Sequence, residues 1–385
     1  LYSSLVTSED NDLTKSISLD YENRLKAIFE DFHAHPELSL AEFETAKKIS
    51  AALKNHGFKV TENVGGTGVV ALLENGKGPL VMMRADMDGL PLEEKTDLPY
   101  ASKDKQLDPV TGNIFPVMHA CGHDVHITAL IGTAKQMVDL KSEWSGTLML
   151  IAQPAEERVL GARNMMNDNL WERFGKPDYA LAFHVSSMLP SGIVNVVDGS
   201  PYAGADTVDI YVHGIGAHGA SPHAGKDPIV LGSQIVNSLQ TLVSRELPPR
   251  QPGVVTVGAF HSGTKHNIIS DMAHLQLTVR NTNDKTRDTL LSGIKRISEN
   301  LGRAAGLPED KLPEVVISEE STPPTINDTE LANRLKSLWQ EKMGINRVTS
   351  YSSDGMGAED FPFFTREPHI PSVYFAIGGT NHEYF

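Results

Sequence analysis

The first clear periodicity along the chain is helical. Leu25, Ile28, Phe29 and Phe32 recur at the spacing that places them on one helix face. A second such face runs from about Ser39, carrying Phe43, Ala46, Ile49 and Leu53, and Gly57 stops it. The pattern then shortens to apolar runs bounded by Gly and Pro, at 69–73, 80–83, 148–152 and 179–183. Helical segments over 127–140 and 161–167 lie between several of them. Buried short strands alternating with helices predict a three-layer α/β domain with a mostly parallel sheet.

The pattern changes after Gly199-Ser200-Pro201. Positions 207–213 alternate apolar and polar, as a sheet exposed on one face requires. A helix over about 228–242 follows, then strands at 254–260 and 273–280, then a helix over about 285–305. Strand, helix, strand, strand, helix, strand is the order of a ferredoxin-like α+β sandwich. Pro323-Pro324 and a helix from about Thr329 mark a return, and 372–377 is as apolar as the early strands. The expected organisation is a catalytic α/β domain, 20–200 and 316–385, interrupted by an inserted ferredoxin-like α+β lid at 201–315. No internal repeat is visible.

Composition adds exclusions. A chain of 385 residues with 40% hydrophobic and 22% charged residues is long enough for two cores and has no disordered character. A net charge of −15 argues against a nucleic-acid partner, which would require a basic face. No run approaches the ~20 apolar residues of a membrane helix. The single cysteine, Cys121, excludes an intrachain disulfide and leaves the compartment open. The polar, Ser-rich first twenty residues read as a solvated lead-in, such as removal of a signal peptide or trimming would leave. Cytoplasmic and exported (periplasmic or secreted) locations both stay open.

The chemistry gathers at strand ends, where open α/β sheets bind ligands. The run at 80–83 leads to Asp86-Met87-Asp88, and 148–152 leads through Gln153-Pro154-Ala155 to Glu156-Glu157. The run at 179–183 leads to His184, and 372–377 leads through Gly378-Gly379 to His382. His119-Ala120-Cys121-Gly122-His123-Asp124 adds a Gly-containing loop that opens a helix. Cysteine, histidine and carboxylate together suit a borderline divalent cation such as Zn²⁺, with Mn²⁺, Co²⁺ or Ni²⁺ as alternatives. Two such ions ~3.5–4 Å apart would share bridging groups. Adjacent carboxylates at a strand end point in different directions, so one can bind metal while the other acts as general base.

The runs HAHPELSLAE (33–42), RADMDGLP (84–91), MHACGHDVH (118–126), QPAEE (153–157) and AHGASPH (217–223) resemble a known family. It is the amidohydrolase branch of the aminoacylase and carboxypeptidase metallopeptidases, which includes hippurate hydrolases, N-acyl amino acid amidohydrolases and auxin-conjugate hydrolases. The resemblance runs from about residue 25 and takes in HNII (266–269), TVR (278–280) and GAEDF (357–361). It implies a dinuclear metal-dependent amide hydrolase acting on N-acyl amino acids or related conjugates. Its metal ligands fall on Cys121, His123, Glu157, His184 and His382, and its general base on Glu156. Asp88, with Asp86, is left to orient ligands within the catalytic group. The resemblance further implies a homodimer through the inserted domain, in which His218 of one subunit's lid serves the other's site. Asn267 and Arg280 match substrate-holding positions. Near the last match the chain departs from the usual His-x-Pro pattern, reading Asn381-His382-Glu383-Tyr384-Phe385, where a closing helix is expected to follow.

Plainer readings stand beside these. Cys121 taken alone is a small buried residue, and Glu156-Glu157 taken alone is a solvated helix start. His33 and His35 read as structural, on an early helix lying away from the strand ends. His126 is open between packing and support of the ligands. His213 and His223 flank His218, and His223 reads as a loop former. Gly65-Gly66-Thr67-Gly68 lacks the Lys-Ser/Thr of a phosphate loop and reads as a turn. Met82-Met83 and Met165-Met166 read as core filling. The rival functions are a dipeptidase or carboxypeptidase of the same family, and a non-catalytic binding protein that kept the fold.

Overall fold

In the computed structural model the described residues are 8–352 and 355–384, without the side chains of 8–12. They form two compact units. The first takes in the chain up to Pro201 and returns at Ile326, and the second takes in Tyr202–Thr325 with a short stretch ending at Glu359.

The first unit is built on an eight-stranded sheet in a mixed α/β fold. Its centre is parallel: Gly146–Gln153, Leu80–Asp86, Tyr179–Pro190 and Ser372–Thr380 lie side by side in that order. Gly68–Asn75 and Lys59–Val64 extend one side antiparallel, and Val194–Asn195 and Val348–Thr349 close the other. The central strands are apolar on both faces because helices cover both. Helices Phe43–Asn55 and His123–Asp139 bury Ile49, Leu53, Ile127 and Leu130 against Ala71, Leu148 and Leu150. Helix Thr329–Met343 packs Leu331 and Ala332 with Val373. Tyr374 points to the opposite face by strand alternation, and there it meets Phe361 edge-on at 5.5 Å.

Two local expectations change and a third holds. Residues Ser8–Asp20 are helical and continue through a π turn, Tyr21–Leu25, into helix Lys26–Ala34, so this part of the lead-in is regular although Leu13, Ile17 and Leu19 stay exposed; the part before Ser8 lies outside the described residues. The second helix begins at Phe43 instead of Ser39, and Phe43 is 63% exposed. As the first helical residue it lies beyond the sheet that Ala46, Ile49 and Leu53 cover. The glycine-rich stretch is a turn, as its composition suggests, joining Lys59–Val64 to Gly68–Asn75. Gly65 has φ +65, and a Cβ there would stand 2.4 Å from the Met165 nitrogen, so no other residue fits.

The second unit is a four-stranded antiparallel sheet, ordered Gly253–Ser262, Met272–Asn281, Gly204–His213, Glu314–Ile317. Strand Gly204–His213 alternates buried and half-buried along its length. Helices Pro228–Thr241 and Asp284–Ala304 cover its apolar face, packing Leu231, Ile235, Leu290 and Ile294 onto Val208, Ile210 and Leu275. Asp227 caps the first helix through the Ile229 and Val230 N–H groups, and Asn283 caps the second through Thr286. Among the described residues, no helix is long and apolar enough to cross a membrane.

Candidate metal centre

Four chain segments deliver polar side chains to the carboxyl ends of the central parallel strands. Leu80–Asp86 ends in Asp86 and runs on to Asp88. Gly146–Gln153 leads through Ala155 into a 3-10 turn, Glu156–Arg158. Tyr179–Pro190 carries His184, and helix His123–Asp139 begins immediately after the Cys121-Gly122 step. Gly122 makes that step possible: its φ is +81, and a Cβ would stand 2.3 Å from Val185 Cγ1.

The ligand atoms of Cys121, His123 and His184 lie within 4.8 Å of one another, and so do those of His123, Glu156 and Glu157. His123 is common to both groups. Its Nδ1 donates to the Asp88 carbonyl at 2.8 Å, since a carbonyl can only accept, and this turns the Nε2 lone pair toward the centre. That Nε2 lies 3.8 Å from Glu157 Oε1 and 4.0 Å from Glu156 Oε2. His184 is set the same way, with Nδ1 donating to the Val185 carbonyl at 2.6 Å and Nε2 3.3 Å from Cys121 Sγ.

The electrostatics show the strain of this crowding. Burial opposes ionisation of Cys121, yet the imidazoles of His123 and His184 bring its thiol down to about 6. Burial pushes the Glu157 carboxyl up to about 8; His123 pulls it back, while Cys121, Asp88 and Asp86 add to the rise. His123 is held well above its ordinary value, against its burial, by Asp86 and Asp88. Both His123 Nε2 and Glu157 Oε1 are buried with no hydrogen-bond partner. Buried polar atoms without partners are rare and call for an explanation. A cation is one, and the sulfur, nitrogen and oxygen donors present fit a borderline divalent ion.

The comparisons with known proteins agree with this geometry. Residues 82–384 match the model of peptidase family M20/M25/M40. The chain belongs to that family. It is 36% identical over 366 residues to thermostable carboxypeptidase 1 of Saccharolobus solfataricus, covering 94% of this chain and 87% of the relative. It is 35% identical over 347 residues to the hippurate hydrolase of Campylobacter jejuni, covering 90% and 86%. Among solved structures, the YXEP protein of Bacillus subtilis, a dinuclear metal binding peptidase from the M20 family, superposes with a TM-score of 0.76 at 29% identity. That superposition covers 94% of this chain and 89% of the other. As an M20 peptidase the chain is a metal-dependent hydrolase of the amidohydrolase and metallopeptidase class.

Around these two groups the remaining site residues divide. Asp86 accepts from His126 Nδ1 on Oδ1 at 2.5 Å and from Arg84 Nη1 on Oδ2 at 2.6 Å. His126 is fully buried, and its Nε2 accepts the Val185 N–H at 2.9 Å, so its two nitrogens tie the Asp86 carboxylate to the strand that carries His184. Burial accordingly pushes its pKa down to about 4. Asp88 takes the Glu157 N–H and the Ser39 hydroxyl on Oδ2, at 3.0 and 2.6 Å. Both aspartates therefore orient other groups.

His382 is not brought into either ligand group. It is exposed, and its Nε2 donates to the Ser191 carbonyl at 2.8 Å. His218 and Asn267 are neighbours within the second unit: Ala217–His218 pairs with Ile268–Ile269, and the Asn267 carbonyl accepts the Gly219 N–H at 2.8 Å. Arg280 is half-buried on Met272–Asn281, its Nε donating to Thr278 Oγ1 at 3.1 Å.

Two contributions were missed or misplaced by the sequence. Arg84 is fully buried and donates to Gln153 Oε1 at 2.7 Å as well as to Asp86, with Asp360 Oδ1 at 3.2 Å. The sequence did carry a signal, one cation inside an otherwise apolar strand. His33 is structural as expected, but its helix does not lie away from the site. Its Nδ1 meets Asp124 at 2.6 Å and its Nε2 meets Glu94 at 3.0 Å, tying the helix to the residue that follows His123. His35 is exposed, 4.0 Å from Asp104.

Proposed function

We propose that this chain removes the acyl group from N-acyl amino acids or related amide conjugates, working with two divalent cations, zinc foremost. One observation carries the reading: the unpartnered, buried His123 Nε2 and Glu157 Oε1, with Glu156 beside them and the Cys121–His184 pair at 3.3 Å. Cys121, His123 and His184 would hold one ion, and His123's neighbours Glu156 and Glu157 bring carboxylate to the other side. When bound, such ions polarise an amide carbonyl and acidify water.

The protein's own groups supply the rest. Glu156 takes a proton from the attacking water and returns it to the amide nitrogen as the C–N bond breaks, leaving a carboxylic acid and a free amine. Glu157 is the poorer candidate for base, because its N–H is anchored on Asp88 and its Oε1 is turned into the buried centre. His218 of a second copy of the chain donates to the developing oxyanion, and Arg280 and Asn267 hold the substrate's carboxylate. This assignment makes the working species a homodimer formed through the second unit, with the first unit as catalytic domain. The reading does not draw on His382, whose imidazole is engaged with Ser191.

The test is bound metal per chain, followed by hydrolysis of N-acetyl amino acids and hippurate before and after chelation. Activity lost with the metal and restored by Zn²⁺, Mn²⁺, Co²⁺ or Ni²⁺ is expected. Turnover undiminished by complete metal removal would overturn the reading. A second reading is favoured by the equal similarity to a carboxypeptidase. It differs only in the group on the acyl side of the bond, so N-blocked dipeptides in the same panel distinguish the two.

A further inference from the structure

The segment 39–42 reaches the Glu156–Glu157 turn from two directions. Glu42 is wholly buried. Its carboxylate accepts the Ala155 N–H at 2.8 Å, the Leu40 N–H at 3.0 Å and the Thr67 hydroxyl at 2.5 Å. Ala155 directly precedes Glu156 and has φ 48 and ψ 39, a left-handed conformation unfavourable to a residue with a Cβ. From the other side, Ser39 donates to Asp88 Oδ2, and the same oxygen accepts the Glu157 N–H. The two glutamates thus leave a backbone that is anchored just before the first and at the second, and both anchors lead back to one loop.

We propose that Glu42 and Ser39 are positioning residues that fix the directions of Glu156 and Glu157, with Glu42 carrying the larger share through the Ala155 N–H. An apolar side chain in Glu42's place could fill the space but would leave that buried N–H without an acceptor. The turn would then be free to relax from its left-handed entry, carrying both carboxylates off their directions. The inference rests on the roles proposed above for Glu156 and Glu157.

The test is zinc titration of the metal-free, full-length protein against a competing chelator, with thermal unfolding run in parallel. Glu42→Ala is expected to weaken zinc binding about 10–100-fold, the usual effect of losing a group that orients a ligand. Glu42→Gln keeps an oxygen acceptor for Ala155 and is expected to recover most of the loss. Thr67→Val removes another partner of the same carboxylate and leaves the Ala155 bond in place, so its zinc affinity should stay near that of the unaltered protein. Where Glu42→Ala does not fold, Ser39→Ala provides the measurement, with a smaller loss expected.

Zinc bound as tightly after Glu42→Ala as before would overturn the proposal, as would a loss on Thr67→Val equal to that on Glu42→Ala. A Glu157→Ala protein that keeps its zinc affinity would instead bring down the underlying reading. With the reading intact, kcat for any hydrolysed N-acyl amino acid should fall on Glu42→Ala while KM is unchanged.

Discussion

The two sheets of this molecule handle polar residues in opposite ways. Strand Gly146–Gln153 is buried at nearly every position, whereas Gly204–His213 alternates buried and half-buried throughout. A sheet covered on both faces has room for chemistry only where its strands stop, and every polar group there needs a partner. His123, His126, His184, Asp86 and Asp88 each have at least one side-chain atom committed to a hydrogen bond within the site. The second unit places its candidates differently. His218 is exposed and Arg280 half-buried, each with one local hydrogen bond. Substitutions in the first unit should therefore damage metal binding, stability or the chemical step, and those in the second should act on turnover alone.

The largest effect expected is from Glu156→Gln, a loss of about 10²–10⁴-fold in kcat with zinc content unchanged by elemental analysis. Equal loss of metal would shift Glu156 from base to ligand. Next comes Arg84→Met, which leaves Asp86 and Asp360 buried without their cation. Denaturant unfolding should show a loss of about 3–5 kcal/mol. His218→Ala should lower kcat about 10²–10³-fold with no change in melting temperature. Mixing it with Glu156→Gln should restore part of the activity in heterodimers, an outcome that a histidine acting within its own subunit could not give.

The smallest effect is a pH dependence. Hydrogen bonding to Asp124 raises the His33 pKa to about 9, against the effect of burial. The folded chain keeps this proton over a range where the unfolded chain, titrating near 6.5, has released it. The stabilisation is complete below about pH 6.5 and is lost as pH rises through 9. It should be on the order of 1 kcal/mol after solvent screening, and His33→Gln should flatten that part of the stability profile.

The sheet of the first unit and the grouping of Cys121, His123, Glu156, Glu157 and His184 were legible because the information is local. Each of these residues lies at or just beyond a short apolar run, or at the start of an apolar helix. What escaped is information carried by distant pairs. Arg84 has partners as far along the chain as Asp360 and Tyr374, and Glu42 meets Ala155 from 113 positions away. No periodicity encodes such contacts. Phe43 failed for the converse reason, since its position in the helical period is right but, as the first helical residue, it lies beyond the sheet. His382 follows an apolar strand as His184 sits in one, yet the strand register carries Thr380 to Pro190 and leaves the histidine beside Ser191.

The strand that carries His184 is bordered by Leu80–Asp86 on one side and by Ser372–Thr380 on the other. The second neighbour is made some 190 residues after the first strand is complete, which at about 5–20 residues per second is a delay of about 10–40 s during synthesis. A nascent chain that had already formed the strand would hold that edge unpaired throughout the interval. Such an edge attracts other chains. Synthesis of this enzyme therefore includes an interval, before Ser372–Thr380 has emerged, in which aggregation through that edge is expected.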